Sequence, residues 1–257
     1  MNTFSYSVKA VGAVALSVCA LSANALTLDT RGLQANAVFS LSQGALDAMF
    51  AADTVMSGLG TTGTLASTIS STGDALPNFN LPIDKVDVSL GLPPFSPLIS
   101  PNYGDTSGAA LQITRGSRNV TLANFVVDYS KDLVLADITA NGITTKGTSL
   151  YSFDATDLKI GLDGLTLNMH QKLSNLVFTS SALNTFTSGL KLSSALQTPL
   201  KTLDFGSITI DINGALRTPI NATPFTVTTA VPELPSTAMM MFGLLGMAVV
   251  SRRKQRI

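Results

Sequence analysis

The chain has 257 residues and equal numbers of basic and acidic side chains, sixteen of each, so its formal net charge is zero. Residues 26–230 carry fifteen aspartates against seven lysines and four arginines, a mildly acidic balance that argues against a nucleic-acid partner, which needs a basic face. A single Cys, a single His and no Trp narrow the metal and nucleophile chemistry before any pattern is read.

Lys9 precedes an apolar run over 10–23 that ends in the small-residue site Ala23-Asn24-Ala25. The run is too short for a spanning helix and reads as a cleaved signal peptide over 1–25. Cys19 lies inside it, and Val18 stands where a lipoprotein signal has a small residue, so plain cleavage is expected. The exported part then has no cysteine, and a hydrophobic core rather than a disulfide must hold it together.

The exported part, 26–230, is long enough for one good core or two small ones, with a candidate sub-boundary near 73–105. Glu233 is the only glutamate of the chain. Avoidance of that helix former in favour of Thr, Ser, Val, Ile and Gly leans toward strands and turns. Val38 to Leu41 reads as a short strand, followed by Ser42 as an N-cap and a helix with Ala45, Leu46, Met49 and Phe50 on one face. Val177-Phe178-Thr179 followed by Ser180 or Ser181 as a cap, then Ala182, Leu183, Phe186 and Leu190, reads the same way. The two passages form a candidate strand-to-helix repeat. Between them, 58–73 is a Gly/Thr/Ser run expected as loop or weak edge strand. Val86 to Leu90 alternates as one half-buried strand, and the proline-rich stretch 92–97 excludes a central strand there.

From Ala109 the alternation becomes regular at Leu111 and Ile113, Val120 and Leu122, and Leu133 and Leu135. Asn141-Gly142, Asp163-Gly164 and Asn213-Gly214 supply the positive φ of two-residue hairpin turns. The clearest pair is 157–162 with 165–170, placing Leu158, Ile160 and Leu162 on one face. Ile208, Ile210 and Ile212 repeat the logic. Strands with one apolar face must bury it. The expected fold is therefore mainly β: an antiparallel β-sandwich or curled sheet over 109–227, two short helices covering an edge or end, and a stalk over 226–232.

Candidate chemistry is sparse. Without cysteine in the exported part, a Cys/His zinc site and a catalytic Cys–His pair are excluded. A serine triad would have to be built on His170, which has no G-x-S-x-G context and reads as an exposed strand-end residue. Asp128, Asp132, Asp137, Asp154, Asp157 and Asp163 lack the spacing of a calcium loop and are expected in turns, as in Asp154-Ala155-Thr156-Asp157. No metal, cofactor or catalytic residue is assigned. An aspartate-dependent exported hydrolase stays open as a minor alternative.

The last stretch carries the most specific pattern. Val231, Pro232, Glu233, Leu234, Pro235, Ser236 and Thr237 precede an apolar run, which is followed by Arg252, Arg253, Lys254 and Arg256. A helix over 235–251 nearly spans a bilayer core of about 30 Å, and the basic cluster would hold its end in the cytoplasm. This tail, 231–257, resembles the PEP-CTERM sorting signal of Gram-negative bacteria. Leu234 intervenes where the usual motif runs Pro-Glu-Pro. The resemblance implies an exosortase as partner, an inner-membrane precursor facing the periplasm, and a cell-surface or extracellular destination. Exopolysaccharide or envelope components are then candidate partners. Leu234 to Ala238 also looks like a variant of the LPxTG sortase signal, and a plain C-terminal anchor is the third reading. Upstream, an Asn-Gly hairpin, a Leu-Thr-Leu strand, an Ala-Leu helix and Leu-Asp-Phe-Gly are loosely similar to HtaA-type haem-uptake domains. That likeness would cast Tyr129 or Tyr151 with His170 around haem. The leading expectation is a non-enzymatic, exported structural or interaction protein, with a haem-binding module as the alternative.

Overall fold

The computed structural model of the protein describes residues 25–90, 99–163 and 166–227. Among these, twelve strands form one antiparallel sheet, joined by three short helices. The strands are β1 (Ala25–Asp29), β2 (Leu33–Leu41), β3 (Val55–Gly60), β4 (Gly63–Ile69), β5 (Ala75–Pro82), β6 (Lys85–Leu90), β7 (Ile99–Arg115), β8 (Arg118–Asp128), β9 (Leu133–Ala140), β10 (Ile143–Asp163), β11 (Thr166–Phe178) and β12 (Gly206–Leu216). The helices are α1 (Gln43–Ala51), α2 (Ser180–Leu190) and α3 (Ser194–Leu200). The sheet runs β1-β6-β7-β8-β9-β10-β11-β12-β2-β5-β4, and β3 pairs the second half of β7.

The expected apolar faces have no second sheet to cover them, so the one sheet bends back on itself. Its corner lies where β1 passes into β2 and β5 into β6. There the Thr30 N–H donates to the Asp84 carbonyl at 2.9 Å, the Thr30 hydroxyl to the Ile83 carbonyl at 2.9 Å, and the Ile83 N–H to the Ala35 carbonyl at 2.9 Å. Beyond the bend β5 pairs β2, whereas β6 pairs β7. The fold-back brings Phe39, Leu81 and Ile208 against Leu111, Leu122 and Val134 in one continuous core. Arg217 locks the corner. Its guanidinium donates to the carbonyls of Ala35 at 2.8 Å and Ile83 at 2.7 Å, and more weakly to those of Arg31 and Thr30.

The helices close one end of the curl. Ser42 caps α1 as expected, its hydroxyl oxygen accepting from the Ala45 N–H at 3.0 Å. For α2 the cap is Thr179, one residue before the expected serines, because its oxygen is the one that reaches the Ala182 N–H. Both passages therefore run from strand through hydroxyl cap to helix, with the alanine three residues beyond the cap. Gly189 lets α2 sit directly on the sheet, since a Cβ there would meet Val120 Cγ2 at 2.6 Å and Ala140 Cβ at 3.0 Å. Arg115 donates to the carbonyls of Ala52, Leu190 and Lys191, satisfying carbonyls that the ends of α1 and α2 leave open. Phe50 is 70% exposed, outside the expected apolar face of α1. The third helix, α3, was not expected. At seven residues it is too short to show a helical period.

Several strand expectations are met and several shift. Asn141 and Gly142 have φ of 52° and 77°, as a primed two-residue turn between β9 and β10 requires. Gly142→Val is expected to destabilise by about 1 kcal/mol or more in a thermal melt, because a β-branched residue resists positive φ. Asp163 pairs with Thr166 as part of the ladder rather than of a turn, and Gly164 lies outside the described residues. Asn213-Gly214 is no hairpin. It lies within β12 at a register shift against β2, with the Asn213 side chain accepting from the Ala215 N–H, and no strand follows among the described residues. In the alternating part of β9 the buried residues are Val134, Ala136 and Ile138, not Leu133 and Leu135, and Thr139 and Ala140 beyond them are buried too. Leu158 is 42% exposed because a bulge between Thr156 and Lys159, with Asp157 at φ 56°, rotates it off the apolar face. Ile208, Ile210 and Ile212 are all buried as expected. The Gly/Thr/Ser run includes β4, an edge strand, and Pro101 in β7 stands beside a bulge against β6, where a missing donor costs least. Strands β5 and β6 cross the expected sub-boundary near 73–105 as members of the same sheet. The proline stretch 92–97, the signal peptide except Ala25, and the tail lie outside the described residues.

Candidate functional site

The most developed polar arrangement is a line of bulges across neighbouring strands. Extra residues occur in β7 between Thr106 and Ala110, in β8 between Ala123 and Val126, and in β10 between Thr145 and Thr148. A bulge leaves backbone groups out of the ladder, and each must find another partner. Asn124, at a left-handed φ of 53°, stands at the centre of the partners they find. Its side-chain oxygen accepts from the Gly108 N–H at 3.1 Å, and its Nδ2 donates to Asp137 at 2.9 Å. Asp137 accepts in turn from the Gly147 N–H at 2.9 Å. At the near end of the line, Asp84 accepts from the Ser107 N–H at 2.7 Å.

The chain's C-terminal stretch 217–227 crosses this line. It leaves β12 at Leu216 rather than in the expected stalk at 226, and lies on the surface outside any strand. The N–H groups of Arg217 and Ile220 donate to the carbonyls of Gly32 and Arg31. The Phe225 N–H donates to Asn124 Oδ1 at 2.7 Å, and Asn124 Nδ2 donates back to the Phe225 carbonyl at 3.0 Å. Gly60 and Gly108, both at positive φ, leave room for this passage. A Cβ on Gly60 would lie 2.9 Å from the Phe225 ring, and one on Gly108 would lie 2.9 Å from the Thr223 carbonyl.

Beside the strap, a groove of about 440 Å³ is walled by Thr27, Asp29, Asp84, Ser107, Ala222 and Pro224 among others. Asp29 is held by Arg31, whose guanidinium grips both carboxylate oxygens and keeps Asp29 down at about 2. Asp84 is only 2% exposed, and burial raises its pKa against the opposing Ser107 N–H, with Asp105 adding to the rise. A carboxylate raised in the folded state favours the fold when protonated. That contribution is complete below the unfolded pKa and is lost as pH rises through the folded value. Asp84→Asn, which keeps an oxygen for Ser107, is therefore expected to melt higher than wild type at pH 7. The difference should close on acidification, as thermal melts at pH 7 and pH 4 would show.

The other singled-out residues do not converge. His170 lies within β11, not at its end, and faces outward, with Nδ1 2.5 Å from Asp211 Oδ1. The open groove beside it is lined by Lys159, Asn168 and Asn213 among others, with no serine. Tyr151 points the other way, into the core, stacked on Phe178 at 4.8 Å, and Tyr129 is packed edge-on to Phe153. A tyrosine–histidine pair facing one haem is not assembled. Among the aspartates, Asp128 forms the expected turn, accepting from Ser130 and Lys131; burial alone would raise its pKa, but these partners outweigh it and lower it. Asp154 and Asp157 stand in β10 rather than in a turn, with Asp154 accepting from Asn175. Among the described residues no three metal-ligating side chains gather. Nor is any described helix long and apolar enough to cross a membrane, while the 235–251 stretch, Val231 to Thr237, Arg252, Arg253, Lys254, Arg256 and the cleavage-site residue Ala23 lie outside the described residues. Sequence reasoning missed Asn124, Arg217 and the strap; the signal that could have found the strap was Pro219 and Pro224, which deny a further strand its donors. Comparison with protein-family models, with curated proteins and with solved structures returned no match for this chain.

Proposed function

We propose that this is an exported, β-rich envelope or extracellular-matrix protein of a Gram-negative bacterium with a structural or interaction role. A C-terminal helix first holds it in the inner membrane, and an exosortase then releases or transfers it. The observation that carries this reading is the tail itself: Val231-Pro232-Glu233, Pro235-Ser236-Thr237, the uncharged apolar run and the Arg252-Arg253-Lys254 end. Two structural features support it. Cleavage after Ala25 would leave Leu26 as the first residue, already paired with Val88 in β1, so the exported fold needs nothing from the signal peptide. At the other end the strap holds the chain to the folded body as far as Phe225, six residues before the motif.

Glu233 is the sharpest test. It sits between Pro232 and Pro235, in a stretch that prolines keep extended, the form a protease reads. Glu233→Ala should leave export and folding intact and block loss of the tail in the native host. Immunoblots of membrane and released fractions would show the membrane-bound precursor accumulating. Equal precursor in wild type and variant would overturn the sorting role and leave a plain anchor.

A further inference from the structure

We propose that the strap 217–227 is a clasp that sets how far the folded body can stand from the membrane, with Asn124 as its latch. This rests on the reading of the tail as a membrane anchor. The clasp is bonded at both ends. Arg217 and Ile220 tie its beginning to the corner at Arg31 and Gly32, and Asn124 ties its end through a reciprocal pair to the Phe225 N–H and carbonyl. The middle runs over Gly108, which approaches the Asn221 and Thr223 carbonyls so closely that a side chain there would collide with them. The seat exists only in the folded sheet, because Asn124 and Gly108 belong to bulges opposite each other in β7 and β8.

The consequence is a matter of reach. With the latch closed, six residues separate Phe225 from Val231, which span at most about 20 Å. With the latch open, Arg217 and Ile220 still tie the strap to the corner, so the free chain would begin after Ile220, and eleven residues could span about 37 Å. The first length keeps the body against the bilayer surface, beside any membrane-embedded enzyme that acts on 231–237. The second lets it stand clear of that surface.

The test variant is Asn124→Gly. Glycine accepts the left-handed φ without strain, so the backbone keeps its course while the bonds to Phe225, and with them those to Gly108 and Asp137, are lost. In the full chain, inserted into lipid nanodiscs, hydrogen exchange should show the Phe225 amide protected in wild type and about tenfold or more faster in Asn124→Gly. Amides of β9 and β11 should stay protected in both, which separates unlatching from unfolding. In the same nanodiscs, a donor dye on Thr145→Cys (in a Cys19→Ser background) should transfer energy to a headgroup-labelled lipid efficiently in wild type and clearly less in Asn124→Gly. An unprotected Phe225 amide in wild type, or one unchanged by the variant, refutes the latch. Faster exchange with unchanged energy transfer refutes the distance-setting role. Failure of the chain to insert at all refutes the anchored tail, while exchange in detergent micelles still decides whether Asn124 holds the strap.

Discussion

Arg217→Met should cost roughly 3–5 kcal/mol of folding stability, the largest loss expected from any polar residue of the chain. Methionine keeps the length and apolar stem of the side chain, so the effect isolates the guanidinium. That group donates to carbonyls on both ribbons of the corner, Ala35 on β2 and Ile83 between β5 and β6, and to the Asn36 side chain. Each of these carbonyls already accepts one bond at the bend, Ala35 from the Ile83 N–H and Ile83 from the Thr30 hydroxyl, and the guanidinium adds a charged second donor that ties the two ribbons together. Arg217 is half-buried at the corner, and desolvation lowers its pKa. Hydrogen bonds to a charged donor are worth about 1.5–3 kcal/mol each, and two of them account for the expected loss. Denaturant unfolding monitored by circular dichroism would measure the loss. A change below about 1 kcal/mol would mean that water replaces the guanidinium freely, and that the corner is held by the Thr30 bonds alone.

The corner also marks the limit of what was legible in the sequence. Alternation gave the strands and the apolar faces, and Asn141-Gly142 gave a hairpin whose positive φ values the structure shows. The same letters at Asn213-Gly214 did not make a turn, because Pro219 and Pro224 come next, and the chain becomes a strap instead of a strand. Local chemistry permits a turn; only a partner strand makes it a hairpin. The faces of β9 were readable in principle. Leu133 to Ile138 is apolar in both phases, and the one charged residue among them, Asp137, decides between the two. It must face out to reach Asn124 and the Gly147 N–H, which turns Val134, Ala136 and Ile138 inward. Bulges were not readable, since each inverts the phase of the residues beyond it without leaving a mark in composition, as at Asp157. Asn124 was missed for that reason. Its value depends on three backbone groups that only the bulges of β7 and β8 and the strap bring to one place.

Phe178→Ala is expected to remove about 3–5 kcal/mol, whereas Tyr151→Phe should change stability by less than about 1 kcal/mol. Both residues belong to one aromatic cluster at the helix-covered end of the core. The Phe178 ring lies 4.8 Å from Tyr151, 4.2 Å from Phe205 and 5.1 Å from Phe186, so it joins β10, β11, α2 and the approach to β12. Its truncation would enlarge an apolar cavity of about 30 Å³ that Met49, Met56 and Leu192 also line, and such a site collapses poorly when strands surround it. Tyr151 contributes its ring to the same stack, but its hydroxyl has no hydrogen-bond partner among the described residues, and burial pushes its pKa upward. Removing that hydroxyl breaks no bond to a described residue and leaves the ring stack in place. The pair of variants separates packing from polarity in one cluster, by thermal melts under identical conditions. It bears on ligand binding too, because a Tyr151 that binds haem would lose that binding on conversion to Phe, while a Tyr151 that only packs leaves a haemin titration unchanged. A large destabilisation by Tyr151→Phe, or a changed haemin spectrum, would give its hydroxyl a functional role that packing alone does not.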